Sequence, residues 1–275
     1  MEGTQLTEFL AKLKASIITA KPSDPIEQAQ KDVDAYNALE GTLNLQDGYN
    51  CPKCKNRGDF AKLEVVHGYP YTPHTYCECR KIRLSIARME RSGLKDAIKR
   101  LTFDKYEAKE PWQVKAKQAA QDYTKSPDDK WLLMCGQVGS GKTHLCTAVC
   151  REFLLAGAEV IYCLWRNEMA SLKASMGDAD EYTRKLGKLC NCDVLYLDDL
   201  FKPVKDGEIT ASDIKLTYDI INARYVQRLR TIISGEMMLN EMLELDEATA
   251  SRIAEMSKGY QIQIERKEGR NYRLQ

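Results

Sequence analysis

Apolar positions along the chain fall into two recurring patterns. Four short, nearly unbroken apolar runs are bounded by polar or glycine residues, Trp131 to Cys135, Glu159 to Leu164, Asp193 to Leu197 and Thr231 to Ser234, and Tyr260 to Ile264 reads as a closing strand with alternating Ile262 and Ile264. Runs of that length with no period-two polar face read as strands buried on both sides. Between them the spacing changes to helical. His144, Leu145, Ala148, Val149, Phe153 and Leu154 share one face after the first run, and Trp165 to Met176 forms a helix that Gly177-Asp178 breaks. A further helix runs to about Leu189; Ile214, Tyr218, Ile221 and Tyr225 mark another, and Asp246 opens one that Lys258-Gly259 ends. Strand and helix thus alternate from residue 130 onward, the pattern of a parallel sheet with helices on its faces.

Upstream the pattern is weaker. Leu6, Phe9, Leu10, Leu13 and Ile17 predict one helical stripe, for packing or for docking on a partner. Asp24-Pro25-Ile26-Glu27 announces a second helix through its capping acid and first-turn proline. Residues 62–66 and 72–76 read as a strand and its return, and a basic helix from Arg80 is broken by Gly93 and resumed from Leu94 to Leu101. A helix carrying Val114, Ala119, Ala120 and Tyr123 leads through a polar loop to the first buried strand. The last residues, from Lys267, read as a short hairpin or a loose end.

The first buried strand empties into Gly136-Gln137-Val138-Gly139-Ser140-Gly141-Lys142-Thr143, a complete G-x-x-x-x-G-K-[ST] phosphate loop. Glycines are needed because consecutive backbone NH groups must curl around phosphate oxygens. Lys142 supplies a point charge for the β and γ phosphates, Thr143 offers a hydroxyl to Mg2+, and the following helix, through His144, aims its positive dipole end at the same anion. These nine residues are the expected nucleotide contacts, for ATP or GTP. The third strand ends in Asp198-Asp199, placed as a Walker B element: Asp198 is the expected Mg2+ residue and Asp199 the group that orients the attacking water. Plain turn chemistry is the rival reading of that acid pair. Ser234, ending the fourth strand, either senses the γ phosphate or caps the next helix.

Ten cysteines change the picture of the N-terminal part. Cys51-Pro-Lys-Cys54, a 22-residue spacer and Cys77-Glu-Cys79 offer four thiolates in two tight clusters, the donor set of a tetrahedral structural Zn2+ site. His67 and His74 are rival ligands without suitable spacing, and buried unliganded thiols are the alternative. Cys190 and Cys192 lack a second pair, and Cys135, Cys146, Cys150 and Cys163 read as small buried hydrophobes. Net charge is +1, yet residues 80–100 hold eight Lys/Arg against Glu90 and Asp96, either a nucleic-acid or acidic-partner surface or a solvated helix face. No apolar run spans a membrane and no signal-peptide pattern opens the chain, so a cytoplasmic location is expected.

Taken together, GQVGSGKTHL, the LDDLFK run at 197–202, TIISGE at 231–236, SRIAEMSKG at 251–259 and the CPKC, CEC and basic-helix segment resemble the AAA+ helicase loaders of the DnaC/DnaI type, particularly phage and prophage copies. The resemblance covers most of the chain beyond residue 50. It implies an α/β fold: a three-layer αβα ATPase core with a parallel sheet over residues 101–275, preceded by helices and a small zinc-binding α+β module over residues 1–100 that contacts helicase. It implies ATP and Mg2+ as well as Zn2+, a hexameric DnaB-type replicative helicase and single-stranded DNA as partners, and self-association through the ATP sites. Arg252 falls on the position that supplies an arginine finger to a neighbouring subunit. ATP binding would drive assembly and hydrolysis release. Asp199, where many relatives of the class carry Glu, implies slow hydrolysis. Only eleven residues follow Ile264, which speaks against a full helical lid. Two other functions remain open: an IstB-like helper ATPase of transposition, and a nucleotide-gated adaptor with little turnover. Arg166, Lys173, Arg184, Lys185 and Lys188 are candidates for a DNA path, with solvated helix faces as the rival reading.

Overall fold

The computed structural model describes residues 24–91, 95–126, 130–202 and 208–272. The stripe from Leu6 to Ile17, Gly93 and part of the loop before the first buried strand lie outside the described residues. The described residues divide into two compact units, with the boundary between Glu78 and Cys79. The basic helix therefore belongs with the second unit. Its Ser85 hydroxyl donates to the Ala158 carbonyl at 3.4 Å and accepts from the Val160 amide at 3.3 Å.

The first unit is built on helix α1 (Pro25–Ala38), whose N-cap Asp24 accepts from the Ile26 amide at 2.9 Å. A short helix, α2 (Leu43–Asp47), ends on left-handed Gly48. Four three-residue strands follow: β1 (Asp59–Ala61), β2 (Glu64–Val66), β3 (Tyr69–Tyr71) and β4 (His74–Tyr76). β1 pairs with β4 and β2 with β3, both antiparallel. The expected strand at 62–66 and its return at 72–76 are thus corrected to two nested ladders: the first pairing begins earlier, at Asp59, and Lys62-Leu63 fall between the ladders. Asn37 clips the inner end of β1, donating to the Ala61 carbonyl at 2.9 Å and accepting from its amide at 3.1 Å. Arg57 lies over the Tyr36 ring at 4.4 Å and donates to the Leu39 carbonyl, satisfying orphan carbonyls at the end of α1.

The second unit opens with α3 (Cys79–Arg91), α4 (Lys95–Arg100) and α5 (Pro111–Lys125). Thereafter strands and helices alternate: β5 (Leu132–Gly136), α6 (Lys142–Leu155), β6 (Val160–Leu164), α7 (Trp165–Ala174), α8 (Ala179–Asn191), β7 (Val194–Asp198), α9 (Ala211–Gln227), β8 (Arg230–Gly235), α10 (Leu239–Leu245), α11 (Glu247–Met256) and β9 (Gln261–Ile264). All five long strands are parallel, in the order β6-β7-β8-β5-β9. Side-chain alternation splits them between two cores. Leu133, Cys135, Leu195, Leu197 and Ile233 pack on one face with residues of α7 to α11, while Leu132, Met134, Val194, Tyr196 and Ile232 pack on the other with α4, α5 and α6. Both faces are covered, which is why the strands read as continuous apolar runs. This is the expected three-layer αβα fold.

One helix is added to those the sequence marks. α10 carries no separate signal in the sequence, being short and fused to α11 through Asp246. α9 forms where Ile214, Tyr218, Ile221 and Tyr225 mark it, with Ile221 buried and Tyr225 packed against the core, and it also turns Leu216, Thr217, Ile220 and Arg224 inward. Arg224 is fully buried because its guanidinium has work to do there. It donates to the Leu189 and Cys192 carbonyls, both at 3.0 Å, to Thr231 Oγ1 at 2.9 Å and to the Arg230 carbonyl. It thereby satisfies the last carbonyls of α8, at the negative end of that helix dipole.

Candidate nucleotide and metal sites

The phosphate loop hangs from β5, a strand paired on both sides. Gly136, Gly139 and Gly141 take φ of 104°, 68° and 89°, left-handed values that a Cβ disfavours. Space forbids a side chain at Gly136 as well, where a Cβ would overlap the Ile264 carbonyl, and at Gly139 a Cβ would displace the Asn271 side chain. α6 then starts at Lys142, with its free amides facing the loop. Lys142 is buried and donates to the Gly136 carbonyl at 2.8 Å and the Gln137 carbonyl at 2.6 Å. Burial lowers the pKa of its ammonium from the ordinary lysine value, against the opposing pull of Glu236 and Asp199. His144 bonds the Thr102 carbonyl through Nε2 at 2.9 Å; burial lowers its pKa, so the ring is the neutral donor at pH 7.

Asp198, at the carboxyl end of β7, is the polar hub. Its carboxylate accepts from Thr143 Oγ1 at 3.4 Å, from Tyr162 OH at 3.0 Å, from the Asp199 amide at 3.1 Å and from Ser234 Oγ. Ser234 in turn shares a 3.1 Å hydrogen bond with Tyr196 OH. The next helix has Met238 at its N-cap, so Ser234 does not cap it. Burial first, and the Asp198 charge next, push the Tyr162 phenol well up, which keeps it a donor. Two hard oxygens, from Thr143 and Asp198, therefore face each other at 3.4 Å. Adjacent ligands of Mg2+ sit about 2.9 Å apart, given metal–oxygen distances of about 2.1 Å, so the donor set fits that ion with a small adjustment.

A cavity of about 600 Å³ joins these elements. Its wall includes Val138 to His144, Asp198 and Asp199, and it adds Tyr162, Lys202 and Glu236, which the sequence reading did not assign. The signal for two of them was present: Lys202 closes the LDDLFK run and Glu236 closes TIISGE. Arg252 stands apart from this wall. It lies on α11 over the rings of Tyr218 and Tyr225, bonding Asn222 Oδ1 at 3.1 Å and the Ala248 carbonyl at 2.6 Å. Of the five cations considered for a DNA path, three have intramolecular partners: Arg166 donates to the Lys202 carbonyl, Lys173 pairs with Asp213 at 2.7 Å and Lys185 with Glu181 at 3.0 Å.

The second candidate site gathers Cys51, Cys54, Cys77 and Cys79, all buried, with sulfurs within 4.8 Å of one another. Cys51 and Cys77 Sγ are 3.9 Å apart. Tetrahedral Zn2+ with bonds of about 2.3 Å requires sulfurs about 3.8 Å apart, so the four thiols fit the ion. The turn between Cys51 and Cys54 is fixed from behind, where Asn56 Oδ1 accepts the Cys51 amide at 2.7 Å and Lys55 and Asn56 adopt left-handed φ of 47° and 64°. His74 is engaged elsewhere, with Asp59 at 3.0 Å, and His67 is not in the group. Cys135, Cys146, Cys150 and Cys163 are buried in the sheet and α6, where burial raises every thiol; Cys135 is pushed up to about 12.

The sequence profile described as IstB-like ATP binding protein matches residues 74–254. The chain belongs to the IstB-like family of ATP-binding proteins. It is thus an AAA+ ATPase of the IstB/DnaC type. A relative of similar length, the phage-like element PBSX protein XkdC of Bacillus subtilis, is 30% identical over 227 residues, 78% of this chain and 82% of that one. The replicative helicase loader DnaC of Escherichia coli is 29% identical over 115 residues, 40% of this chain and 46% of DnaC. Among solved structures, DnaI superposes with a TM-score of 0.51 at 21% identity, covering 62% of this chain and 93% of DnaI. That likeness speaks for the fold. Among the described residues, no helix is long and apolar enough to cross a membrane.

Proposed function

We propose that this IstB-like ATPase loads a hexameric DnaB-type replicative helicase onto single-stranded DNA, with ATP binding driving assembly and hydrolysis driving release. The observation that carries the reading is the order of parts: a buried four-cysteine cluster fit for Zn2+ precedes a P-loop site whose family includes the helicase loader DnaC. The zinc module and residues before it contact helicase; residues 101–275 bind nucleotide.

In this reading the loop amides and Lys142 hold the β and γ phosphates. Thr143 and Asp198 hold Mg2+, which neutralises phosphate charge when bound. Asp199 orients and accepts a proton from the attacking water. Ser234 acts through Asp198, which it bonds. Arg252 lies outside the wall of its own cavity, as a finger offered to a neighbouring copy would. A shorter acid at Asp199 makes turnover slow without assembly or DNA.

The test mixes the full chain with hexameric helicases and scores ATP-dependent capture of the ring on circular single-stranded DNA. Loading that fails with Lys142→Ala, and falls with Arg252→Ala while nucleotide binding persists, supports the proposal. ATP-independent loading, or none with any DnaB-type ring, sinks it. The family profile itself favours one alternative, a helper ATPase of transposition. Stimulation of a transposase in place of helicase loading would select that reading.

A further inference from the structure

Asp199 and Phe201 both occupy the left-handed region, at φ of 55° and 56°. Neither is glycine, so this turn is held against its own preference. Phe201 is buried, edge-on to Trp165 with ring centroids 5.6 Å apart. The turn also brings Lys202 back over the end of β7. The Lys202 amide donates to the Asp199 carbonyl at 3.1 Å, and its carbonyl accepts from Arg166 at 2.9 Å. Backbone and neighbours thus fix where this lysine starts.

Its ammonium is divided between two acids. Lys202 Nζ lies 3.1 Å from Asp199 Oδ2 and 2.8 Å from Glu236 Oε1, and all three side chains line the cavity that holds the phosphate loop. Burial works against the charged form, but the bonds from Glu236 and Asp199 outweigh it and raise the ammonium above the ordinary lysine range. Lys202 is therefore a full cation at neutral pH. It is paired with the acid expected to act on water, within a cavity built for an anion.

We propose that Lys202 reads the terminal phosphate of a bound nucleoside triphosphate, its ammonium moving from the Asp199–Glu236 pair to the γ phosphate and so releasing Asp199. The inference rests on the reading of this cavity as the ATP site. A terminal phosphate carries about −1.5 to −2 charge on three strong acceptor oxygens, against one charge on each carboxylate. It can therefore compete for the lysine. A diphosphate lacks that group in that place and leaves the ion pairs intact. Lys142 and the loop amides hold phosphate in either nucleotide; Lys202 tells the two apart.

The experiment measures affinity of the full chain for Mg-ADP and for a non-hydrolysable Mg-ATP analogue, by calorimetry or by competition with a fluorescent nucleotide. Lys202→Met is expected to weaken the triphosphate analogue about tenfold, the loss of one charge-assisted hydrogen bond, and ADP less than about twofold. Retained ADP binding shows that the variant is folded. Lys202→Arg should keep most of the preference. Glu236→Gln should shift it the other way, tightening the triphosphate, because one competitor for the ammonium has lost its charge. Equal loss for both nucleotides in Lys202→Met, or an unchanged preference in both Lys202→Met and Glu236→Gln, overturns the assignment. Wild-type protein that binds neither nucleotide would instead sink the ATP reading beneath it.

Discussion

Replacing Arg224 by methionine tests the account of the core in energetic terms. The guanidinium is fully buried and donates to the carbonyls of Leu189, Cys190, Cys192 and Arg230, to the Thr231 hydroxyl and to the Cys192 sulfur. Methionine fills much of the volume but supplies no donor. The buried carbonyls of Leu189, Cys190 and Cys192 and the part-buried one of Arg230 would lose a partner, each well-made bond worth about 1–3 kcal/mol, and the charge at the end of α8 would no longer meet its dipole. Relief from burying a cation returns part of that cost, so the expected net loss is about 3–4 kcal/mol. That is a large share of the ~5–15 kcal/mol that stabilises a domain. Urea unfolding followed by tryptophan fluorescence is a direct assay, since Trp112, Trp131 and Trp165 all belong to the second unit. Trp131 reports on this corner, donating from Nε1 to the Leu229 carbonyl at 2.9 Å. Arg224→Lys, a charge without the fork, should lose roughly half as much. Nucleotide affinity below the transition should not change, because Arg224 meets the start of β8 and Ser234 its far end. A methionine variant within about 0.5 kcal/mol of wild type would refute the claim that these bonds hold α8 to the sheet.

Other outcomes follow from the two sites. Lys142→Ala should abolish detectable Mg-ATP binding in equilibrium dialysis while leaving the bound zinc content unchanged. Cys54→Ser, or treatment with a strong chelator, should strip zinc and expose residues 50–79 to protease. ATP binding by the same full-length protein should persist; its loss would couple the sites. Asp213 supplies a pH dependence. Burial pushes its carboxyl up, but bonds from Lys173 and Thr210 outweigh this and hold it below the ordinary value of 3.8. Its contribution is complete above the unfolded value and is lost as pH falls through the lower folded one. The stability gap between wild type and Asp213→Asn should stay constant above about pH 5 and close below 3.8; a gap that widens in acid would reverse the assignment.

The sequence announces this sheet because burial on both faces removes the polar alternation that obscures many strands. Leu195 and Tyr196 point to opposite cores, yet both must be apolar in body. The phosphate loop and the cysteine pairs are legible because their chemistry depends on spacing along the chain. Lys202 and Glu236 lie at the ends of the LDDLFK and TIISGE runs, but their meeting in the cavity, like the place of Tyr162, depends on a left-handed turn, the end of a neighbouring strand and the register of β6 against β7. The split of the 22-residue spacer into two ladders was hidden for a similar reason: Val65, Val66, Tyr69 and Tyr71 are exposed, so no core dictates their pattern. Residues past Ile264 gave no sign that they return to the phosphate loop, where the Tyr272 amide donates to the Gly139 carbonyl at 3.0 Å.

Gly136 carries an ambiguity that its motif conceals. It opens the phosphate loop, yet the space where its side chain would stand is taken by the carbonyl of Ile264 on the adjoining strand, with the Met238 sulfur close by. That crowding belongs to the joint between β5 and β9 and would exist in a protein that never met a nucleotide. Alanine there would wedge two strands apart before it touched a phosphate. The first letter of the most diagnostic word in the chain is thus spelled partly by carpentry, and a variant at Gly136 that loses ATP has not, by that loss, reported on how ATP is held.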